Sequence, residues 1–266
     1  MTQDLIETID DGIATLTMNR PESRNALTRD MVQAMHAALL RLSTDPSIRL
    51  LVLTGAGRAF CSGGDVKGFA KAAAAGVAPM AFDQRVSDLR LRMEVSRLLH
   101  EMPKPTLAII PGPAAGAGFS LALACDLRIA SDDAKLTTAF ARMGLSGDFG
   151  GSYFLGHLVG ASRARELYFT GRVVAADEAL QMGLLDRVAP ADQLAATALQ
   201  WARELAGLPT VAIGYMKRNL NLGLRSSLSD VLDAEAIHMV RTFDTEDHKG
   251  AAQAFVDKRR PSFNGF

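Results

Sequence analysis

The chain has 266 residues, with 29 lysines and arginines against 29 aspartates and glutamates, and 48% of its residues are hydrophobic. This composition excludes disordered, collagen-like and disulfide-scaffold proteins, and the length allows one large core or a core with a smaller appendage. A formal net charge of zero argues against nucleic acid or an anionic membrane as the main partner, because both attract an excess of positive charge.

Cysteine usage and the amino terminus indicate where the protein works. Cys61 and Cys125 are too few and too far apart for a disulfide framework or a Cys-x-x-Cys metal site, and an unbridged pair suits a reducing compartment. Residues 1–4 lack the pattern of a signal peptide, and no stretch reaches the roughly 18 consecutive apolar residues that span a bilayer. We therefore expect a cytoplasmic protein that binds neither nucleic acid nor membrane.

The first fifty residues predict a hairpin, a helix and a buried strand. Leu5–Ile9 and Ile13–Thr17 are predicted strands joined by Asp10-Asp11-Gly12, a strong hairpin signal. Thr28 is the predicted cap of a helix, and Leu50–Leu53 is a predicted strand. Apolar residues at three- and four-residue steps give that helix one buried face, made of Met31, Val32, Met35, Ala38, Leu39 and Leu42.

The same order then recurs along the chain. The pattern predicts a long helix from about Asp83 to His100, a strand at Thr106–Ile110, a glycine- and alanine-rich loop at Gly112–Gly118, a helical segment at Phe119–Cys125, and a strand at Leu127–Ala130. Alternating strands and helices indicate an α/β fold.

Helical patterns dominate after Gly150. The predicted elements are the helices Ser152–Val159, Ser162–Phe169 and Ala176–Met182, followed by the strand Leu185–Val188. Only helices are predicted from Ala191 onward, so we place a boundary in the Ala189–Asp192 segment, between a core of residues 1–190 and a helical segment of residues 191–266. That segment either completes the core or forms an oligomer interface.

Two glycine-rich loops, residues 59–65 and 112–118, each follow a buried strand and would aim backbone N–H groups into one region. The N–H groups at a helix start favour an anion or an oxygen that becomes negative during a reaction. The alternative is that these glycines only permit close backbone packing. The P-loop and dinucleotide-binding signatures are missing, metal-ligand pairs at helical spacing are missing, and Gly144–Asp148 lacks the closing glycine of a serine-hydrolase elbow.

Several short motifs together resemble the ordered landmarks of the crotonase family, the enoyl-CoA hydratase/isomerase superfamily. The match runs in register from about Ile13 to residues 254–259. Its motifs are Asn19-Arg20-Pro21, Arg24-Asn25-Ala26-Leu27, Leu53-Thr54-Gly55, the two glycine loops, Cys125-Asp126, Gly150-Gly151 and Thr170-Gly171.

The resemblance implies an α/β spiral of ββα units whose helical carboxy-terminal segment packs trimers, often paired into hexamers. It also implies an acyl-CoA thioester as substrate, with coenzyme A as part of the substrate and no separate cofactor or metal. The family stabilises a negative oxygen at the thioester carbonyl with two backbone N–H groups, which by position are those of Gly64 and Ala117. Such donors act on charge that develops only in the transition state.

The resemblance also bears on the reaction. Typical hydratases carry two glutamates where this chain has Ser120 and Phe140, which cannot form the acid and base pair that adds water. Asp148 lies where family members such as ring-epoxide and Δ3,Δ2-enoyl-CoA isomerases keep a carboxylate, and a single carboxylate can move a double bond. We predict that Asp148 is the base. The alternative is that it caps the helix predicted at Ser152–Val159.

Other activities rank lower. A dehalogenase branch uses an aspartate at this place with a histidine on the preceding long helix, where this chain has Met93. His100 is predicted to be a charge at the end of that helix or a surface group. The second enzymatic hypothesis is hydration, with Ser120 or Asp148 positioning the water. The hypothesis from outside the enzymes is a non-catalytic CoA-binding protein.

Substrate-binding residues are predicted from the same resemblance. The cations that would bind the CoA phosphates are Arg24, Lys67 and Lys258, although such residues are more often solvated surface charges. The loop residues predicted to contact substrate are Ser62, Gly63, Asp65, Gly116 and Ser120. The apolar residues predicted to line the acyl pocket or to pack in the core are Phe69, Phe140, Leu145 and Phe149.

Overall fold

The computed structural model describes residues 4–65, 68, 74 and 80–266, which form two sheets surrounded by helices. The strands of the main sheet are β1 (Leu5–Asp10), β2 (Ile13–Met18), β3 (Leu50–Gly55), β4 (Thr106–Ile110), β6 (Leu127–Ser131) and β9 (Arg187–Ala189). This six-stranded sheet has the order β1-β2-β3-β4-β6-β9 and is parallel except for the antiparallel pair β1 and β2. The three-stranded second sheet consists of β5 (Ala114–Ala115), β7 (Lys135–Thr137) and β8 (Val174–Ala175).

The described helices complete the α/β fold that the sequence predicts. They are α1 (Arg29–Thr44), α2 (Phe82–Arg92), α3 (Glu94–Glu101), α4 (Ala117–Ala124), α5 (Gly151–Val159), α6 (Ala161–Thr170), α7 (Ala176–Gln181), α8 (Leu194–Ala206), α9 (Thr210–Gly223), α10 (Leu228–Phe243) and α11 (Glu246–Val256). Short 3₁₀ turns lie at Pro21–Ser23 and Ala141–Met143.

Local signals in the first fifty residues are confirmed. Asp11 and Gly12 join β1 to β2 with φ angles of 47° and 75°, as the two-residue turns of tight hairpins require. Thr28 caps α1, since its Oγ1 accepts a hydrogen bond of 3.1 Å from the Met31 N–H. The six apolar residues predicted for the inner face of α1 are all buried.

Strand β3 separates two apolar layers, because successive side chains of a strand point to opposite faces. Leu51 and Leu53 belong to the larger cluster, which includes α1, α3 and α4. Leu50 and Val52 pack on the other face with Trp201 of α8. Burial on both faces is typical of a parallel sheet and fixes the strand ends from which the glycine loops leave.

Two predictions about elements are corrected, and one small sheet was not predicted. The long helix predicted from about Asp83 to His100 is divided at Met93, because α2 buries no residue whereas α3 turns its apolar face into the core. The strand predicted at Leu185–Val188 begins two residues later, at Arg187, since Leu184 and Leu185 pack in the main cluster first. The second sheet was not predicted, as strands of two or three residues carry no readable periodicity.

Only helices follow β9 in the described residues, as predicted. Helix α8 covers one face of the main sheet, so this part of the segment completes the core. Helix α9 is anchored by the nearly buried Lys217, whose ammonium group donates to Asp126 Oδ2 at 2.7 Å and to the Leu99 and Lys104 carbonyls. The division at residue 190 stays a prediction.

Candidate active site

The two glycine loops leave the same edge of the main sheet and pack against each other. β3 and β4 are parallel neighbours, so their carboxyl ends share this edge. The Ala115 N–H donates to the Cys61 carbonyl at 2.9 Å. Gly63 has a φ of 94°, and a Cβ built on it would lie 3.0 Å from the Ala115 oxygen and 3.5 Å from the Ala117 nitrogen. The loops can approach this closely only because residue 63 has no side chain.

Gly64 and Ala117 each present an unused backbone donor in this region. Among the described residues, no acceptor takes the N–H of either one. Ala117 is the first residue of α4, where N–H groups have no partner within the helix and carry partial positive charge. Gly64 is exposed. Two such donors side by side can bind an oxygen that carries negative charge.

A network of polar side chains holds the first glycine loop in place. Asp65, predicted to contact substrate, accepts a hydrogen bond from Arg20 Nη1 at 3.1 Å and another from the Gly68 N–H at 2.9 Å. Arg20 also donates to the Ala26 carbonyl. The hydrogen bonds of the Asp65 carboxylate therefore stabilise the conformation of the loop.

Asn25 is a residue of this network that the sequence reasoning did not assign to the site. It is fully buried with a left-handed φ of 56°. Its side-chain amide donates to the Ala56 and Ala59 carbonyls at 3.0 and 2.8 Å and accepts from the Arg20 N–H at 2.9 Å. The signal that could have identified it is its place in the Arg24-Asn25-Ala26-Leu27 motif.

The two cysteines are free and buried. Cys61 Sγ donates to the Asn25 carbonyl at 3.1 Å, and burial raises the pKa of its thiol to about 12. Burial raises the pKa of Cys125 to about 12 as well. Both therefore stay protonated and act in packing, since the thiolate is the reactive form.

Asp148 lies in the turn before α5 and does not cap that helix. The cap residue is Gly150, and no side-chain hydrogen bond caps the helix, so the capping alternative is not supported. Asp148 Oδ1 is buried and has no hydrogen-bond partner in the described part of the chain. Burial raises the pKa of this carboxyl, and the Arg92 guanidinium opposes the shift. A carboxyl oxygen that is buried without a partner, in a group whose pKa is raised by burial, indicates a candidate functional group.

An aromatic pair connects Asp148 to the second glycine loop. The rings of Phe140 and Tyr168 stack with their centroids 6.0 Å apart. A Cβ built on Gly116 would lie 3.7 Å from Phe140 Cε1, and one built on Gly147 would lie 2.9 Å from Tyr168 Cε1. Phe140 therefore packs beside Gly116, the residue before the Ala117 donor, and Tyr168 packs beside Gly147, the residue before Asp148.

Tyr168 and Arg92 are polar neighbours of Asp148 that the sequence reasoning missed. Tyr168 Oη and Arg92 Nε are buried without partners among the described residues. Burial and the nearby Asp148 raise the pKa of the Tyr168 phenol to about 12. No sequence motif marks either residue, because both come from helices distant in sequence from residue 148.

Ser120 is 2% exposed and lies one turn into α4. Its Oγ donates to the Gly116 carbonyl at 3.3 Å, and a Cβ built on Gly151 would overlap this hydroxyl. The serine thus lies against the start of α5 and has an acceptor of its own within α4.

The predicted phosphate-binding cations differ in their positions. Arg24 is exposed beside the first glycine loop, where its carbonyl accepts from the Ser62 N–H at 2.9 Å, and its side chain has no partner among the described residues. Ser62 is exposed and donates to the Ser23 carbonyl. Lys258 follows α11, and no described contact joins it to the glycine loops. Lys67 and Phe69 lie outside the described residues.

The remaining predicted side chains are also placed. Phe140 and Phe149 are buried, Phe149 within the main cluster, whereas Leu145 is 60% exposed. His100 lies in the last turn of α3 as predicted, but it is not a surface charge. It packs edge-on against Tyr153 and Phe154, and burial lowers its pKa. In the part of the chain that is described, no helix has the length and apolar character needed to cross a bilayer.

Known proteins match this chain over nearly its whole length. Residues 8–265 match the family described as Enoyl-CoA hydratase/isomerase. The chain is 36% identical over 265 residues to 1,2-epoxyphenylacetyl-CoA isomerase of Escherichia coli K12, with 100% of both chains covered. It is 31% identical to crotonyl-CoA hydratase of Syntrophomonas wolfei, covering 96% of this chain and 95% of that one.

Solved structures agree with the sequence comparisons. The crystal structure of an enoyl-CoA hydratase from Polaromonas sp. JS666 superimposes with a TM-score of 0.90 at 31% identity, covering 97% of this chain and 99% of that one. The fold is therefore the crotonase fold. The chain belongs to the enoyl-CoA hydratase/isomerase family of the crotonase superfamily, whose members act on acyl-CoA thioesters, and it is an enzyme.

Proposed function

We propose that this enzyme isomerises an unsaturated or epoxidised acyl-CoA through an enolate. The Gly64 and Ala117 N–H groups hold the thioester oxygen, and Asp148 moves the proton. The proposal is carried by the Asp148 carboxyl, one oxygen of which is buried without a partner among the described residues, together with the two unused backbone donors of the glycine loops. The relative named 1,2-epoxyphenylacetyl-CoA isomerase supports this type of reaction.

Double-bond migration needs one proton carrier and one site for negative charge. The Asp148 carboxylate takes a proton from carbon, and the electron pair of that C–H bond moves toward the thioester oxygen. The two N–H groups stabilise the resulting enolate oxygen. Asp148 then returns the proton to another carbon, so the substrate gains and loses no atoms. Because burial raises its pKa, the carboxylate is a stronger base than an ordinary aspartate.

Hydration is the second candidate, since relatives such as crotonyl-CoA hydratase carry that name. It requires a second acid or base to deliver water. In this chain the side chains at the two glutamate positions are a serine that already donates to Gly116 and a buried phenylalanine. Incubation with a 2-enoyl-CoA and detection of the 3-hydroxy product distinguishes the two reactions.

The test of the proposal is Asp148→Asn, assayed for turnover of a 3-enoyl-CoA and of a ring-epoxide derivative of phenylacetyl-CoA. Loss of a general base lowers turnover by roughly 10²–10⁴-fold. Exchange of the substrate α-proton in deuterated water should fall in parallel, which tests enolate formation even if the natural acyl group is another one. The matched control is Asp192→Asn at an exposed position. Parental turnover in Asp148→Asn would refute the proposal.

Substrate binding is proposed to depend on Arg24, with Lys67 and Lys258 as further contributors, and coenzyme A enters only as part of the substrate. Arg24 is exposed beside the first glycine loop and has no competing partner among the described residues. Arg24→Gln should raise KM up to about five-fold, the effect of losing one exposed ion pair, and leave kcat unchanged. Equal KM values for CoA and dephospho-CoA thioesters in the parent enzyme would argue against a contact with the 3′-phosphate.

A further inference from the structure

The turn that contains Asp148 packs closely against the ring of Tyr168. Gly147, Phe149 and Gly150 have left-handed φ angles of 106°, 51° and 77°. A Cβ on Gly147 would lie 2.9 Å from Tyr168 Cε1, and a Cβ on Gly151 would lie 2.5 Å from Tyr168 Oη. The ring occupies space that two glycines leave open, one at each end of the turn. Tyr168 of α6 therefore packs against both ends of the turn.

Two complementary polar atoms are left without partners at this place. Asp148 Oδ1 and Tyr168 Oη are both buried and unpaired within the described residues. A carboxylate only accepts hydrogen bonds, whereas a protonated phenol donates one. Burial and the proximity of Asp148 raise the pKa of Tyr168 to about 12, so the phenol keeps its proton throughout the neutral range.

Other polar groups also lie around Asp148. Arg92 of α2 acts on the Asp148 carboxyl. Its Nη2 is joined to Asp88 at 3.0 Å, and its buried Nε has no partner among the described residues. Ser120 donates to the Gly116 carbonyl. Ser152, exposed at the start of α5, lies near the Tyr168 hydroxyl and lowers its pKa. Tyr168 differs from these groups in that its ring packs directly on the turn.

We propose that Tyr168 is a positioning residue whose hydroxyl donates a hydrogen bond to the Asp148 carboxylate when an acyl-CoA is bound. The proposal rests on the proposed role of Asp148 as the base. In the bound state this hydrogen bond holds the carboxylate oxygen in one orientation for proton transfer. A hydrogen bond to the charged form also offsets part of the effect of burial on the carboxylate. Tyr168 keeps its proton and does not touch the reacting carbon.

The experiment is the pH dependence of kcat/KM in Tyr168→Phe, which keeps the ring stacked on Phe140 and removes only the hydroxyl. The rising limb of the profile reports ionisation of the base. Without the donor, the rising limb should shift to higher pH by about one unit. At pH values below the limb, activity should then be about ten-fold lower than in the parent, and at pH values above the limb it should approach the parent value. Tyr153→Phe is the matched control, since this tyrosine is partly exposed on α5 and packs on histidine rings.

Each outcome is decisive for the positioning role. An unshifted limb in Tyr168→Phe overturns it, as does an equal loss of activity at every pH, which indicates a structural effect alone. Should Tyr168→Phe prove too unstable to assay, site-specific 3-fluorotyrosine at position 168 supplies a stronger donor, and the limb should then move to lower pH. An unchanged limb there also overturns the proposal.

A failure of the proposed function would give a different experimental result from a failure of the role of Tyr168. If Asp148→Asn retains parental α-proton exchange, the base assignment is lost whatever Tyr168→Phe does. If Asp148→Asn is inactive and the limb of Tyr168→Phe does not move, only the role of Tyr168 is lost.

Discussion

At the scale of single residues, the backbone donors of the site depend on a glycine at position 63. Its φ of 94° is one that residues with side chains rarely adopt, and an added Cβ would press on the Ala115 carbonyl at 3.0 Å. A forced backbone conformation of this kind costs about 1–3 kcal/mol. Relief of the contact would also move the neighbouring Gly64 N–H away from Ala117.

We therefore expect Gly63→Ala to lower both the free energy of unfolding, by about 1–3 kcal/mol, and kcat. Urea unfolding and turnover of acyl-CoA measure the two effects. Gly223→Ala is the matched control, because this glycine of α9 has open space around its missing Cβ, and alanine there should stabilise by up to about 1 kcal/mol. A Gly63→Ala enzyme of parental stability and turnover would show that the close approach of the loops is unimportant.

Asp148 is expected to reduce stability while serving activity. Its pKa is raised by burial above the ordinary value of 3.8. The folded protein therefore binds this proton more tightly than the unfolded chain, and stability falls as pH rises from about 3.8 through the raised pKa. The penalty is fully present above the raised pKa and absent below 3.8.

Asp148→Asn should accordingly be more stable than the parent at neutral pH, and the difference should disappear near pH 3. Thermal melting at a series of pH values measures it. Asp192→Asn, at an exposed position, should show no such pH-dependent gain. A variant that is less stable than the parent at neutral pH would indicate that the carboxylate has a stabilising partner in the folded protein.

At the scale of secondary-structure elements, the attachment of α9 to the rest of the fold depends on Lys217. The Lys217 side chain is 7% exposed, and its ammonium group donates to one carboxylate and two carbonyls. Removing one member of a buried pair leaves the other charge unpaired. Asp126 would still accept two hydrogen bonds from Thr106, which limits the damage.

Lys217→Met should therefore lower the free energy of unfolding by about 3 kcal/mol, near the lower end of the range for such pairs. Chemical denaturation measures this value. Lys249→Met is the control, since that lysine pairs with Glu246 in solvent and should have no measurable effect. Equal stability of the two variants would mean that α9 is held by its apolar contacts alone.

The elements also show where sequence patterns are sufficient. The hairpin, the Thr28 cap and the buried face of α1 follow from signals within a few residues of one another. The division at Met93 does not, because it arises from the packing of α3 against α1 and α4 while α2 buries nothing. The two-residue strands of the second sheet exist only through pairing with residues far away in the chain.

At the scale of the whole molecule, the carboxy-terminal helices expose many large apolar side chains. Leu228 is 74% exposed and Phe255 is 85% exposed. Leu232 and Phe243 of α10 and Val256 of α11 are also exposed. Apolar surface of this extent marks a protein–protein contact. We propose that it packs against further copies of the chain in a trimer or a dimer of trimers.

Light scattering coupled to size exclusion should give the mass of three or six chains. Leu228→Asp combined with Leu232→Asp should lower that mass, because two charges one turn apart would be buried in the contact. Asp233→Asn on the same helix is the control and should leave the mass unchanged. A monomeric parent protein would contradict the proposed assembly.

The sequence by itself was sufficient for the α/β fold, the family and the two glycine loops, because short motifs and residue spacing carry this information. Only the tertiary structure decided that Asp65 is paired with Arg20 and Gly68, that Asp148 does not cap α5 and has one buried oxygen without a partner in the described part of the chain, and that Tyr168 packs on its turn. The reason is physical. Whether a carboxylate is free, paired or desolvated depends on groups that folding brings from distant parts of the chain, and no local pattern records them.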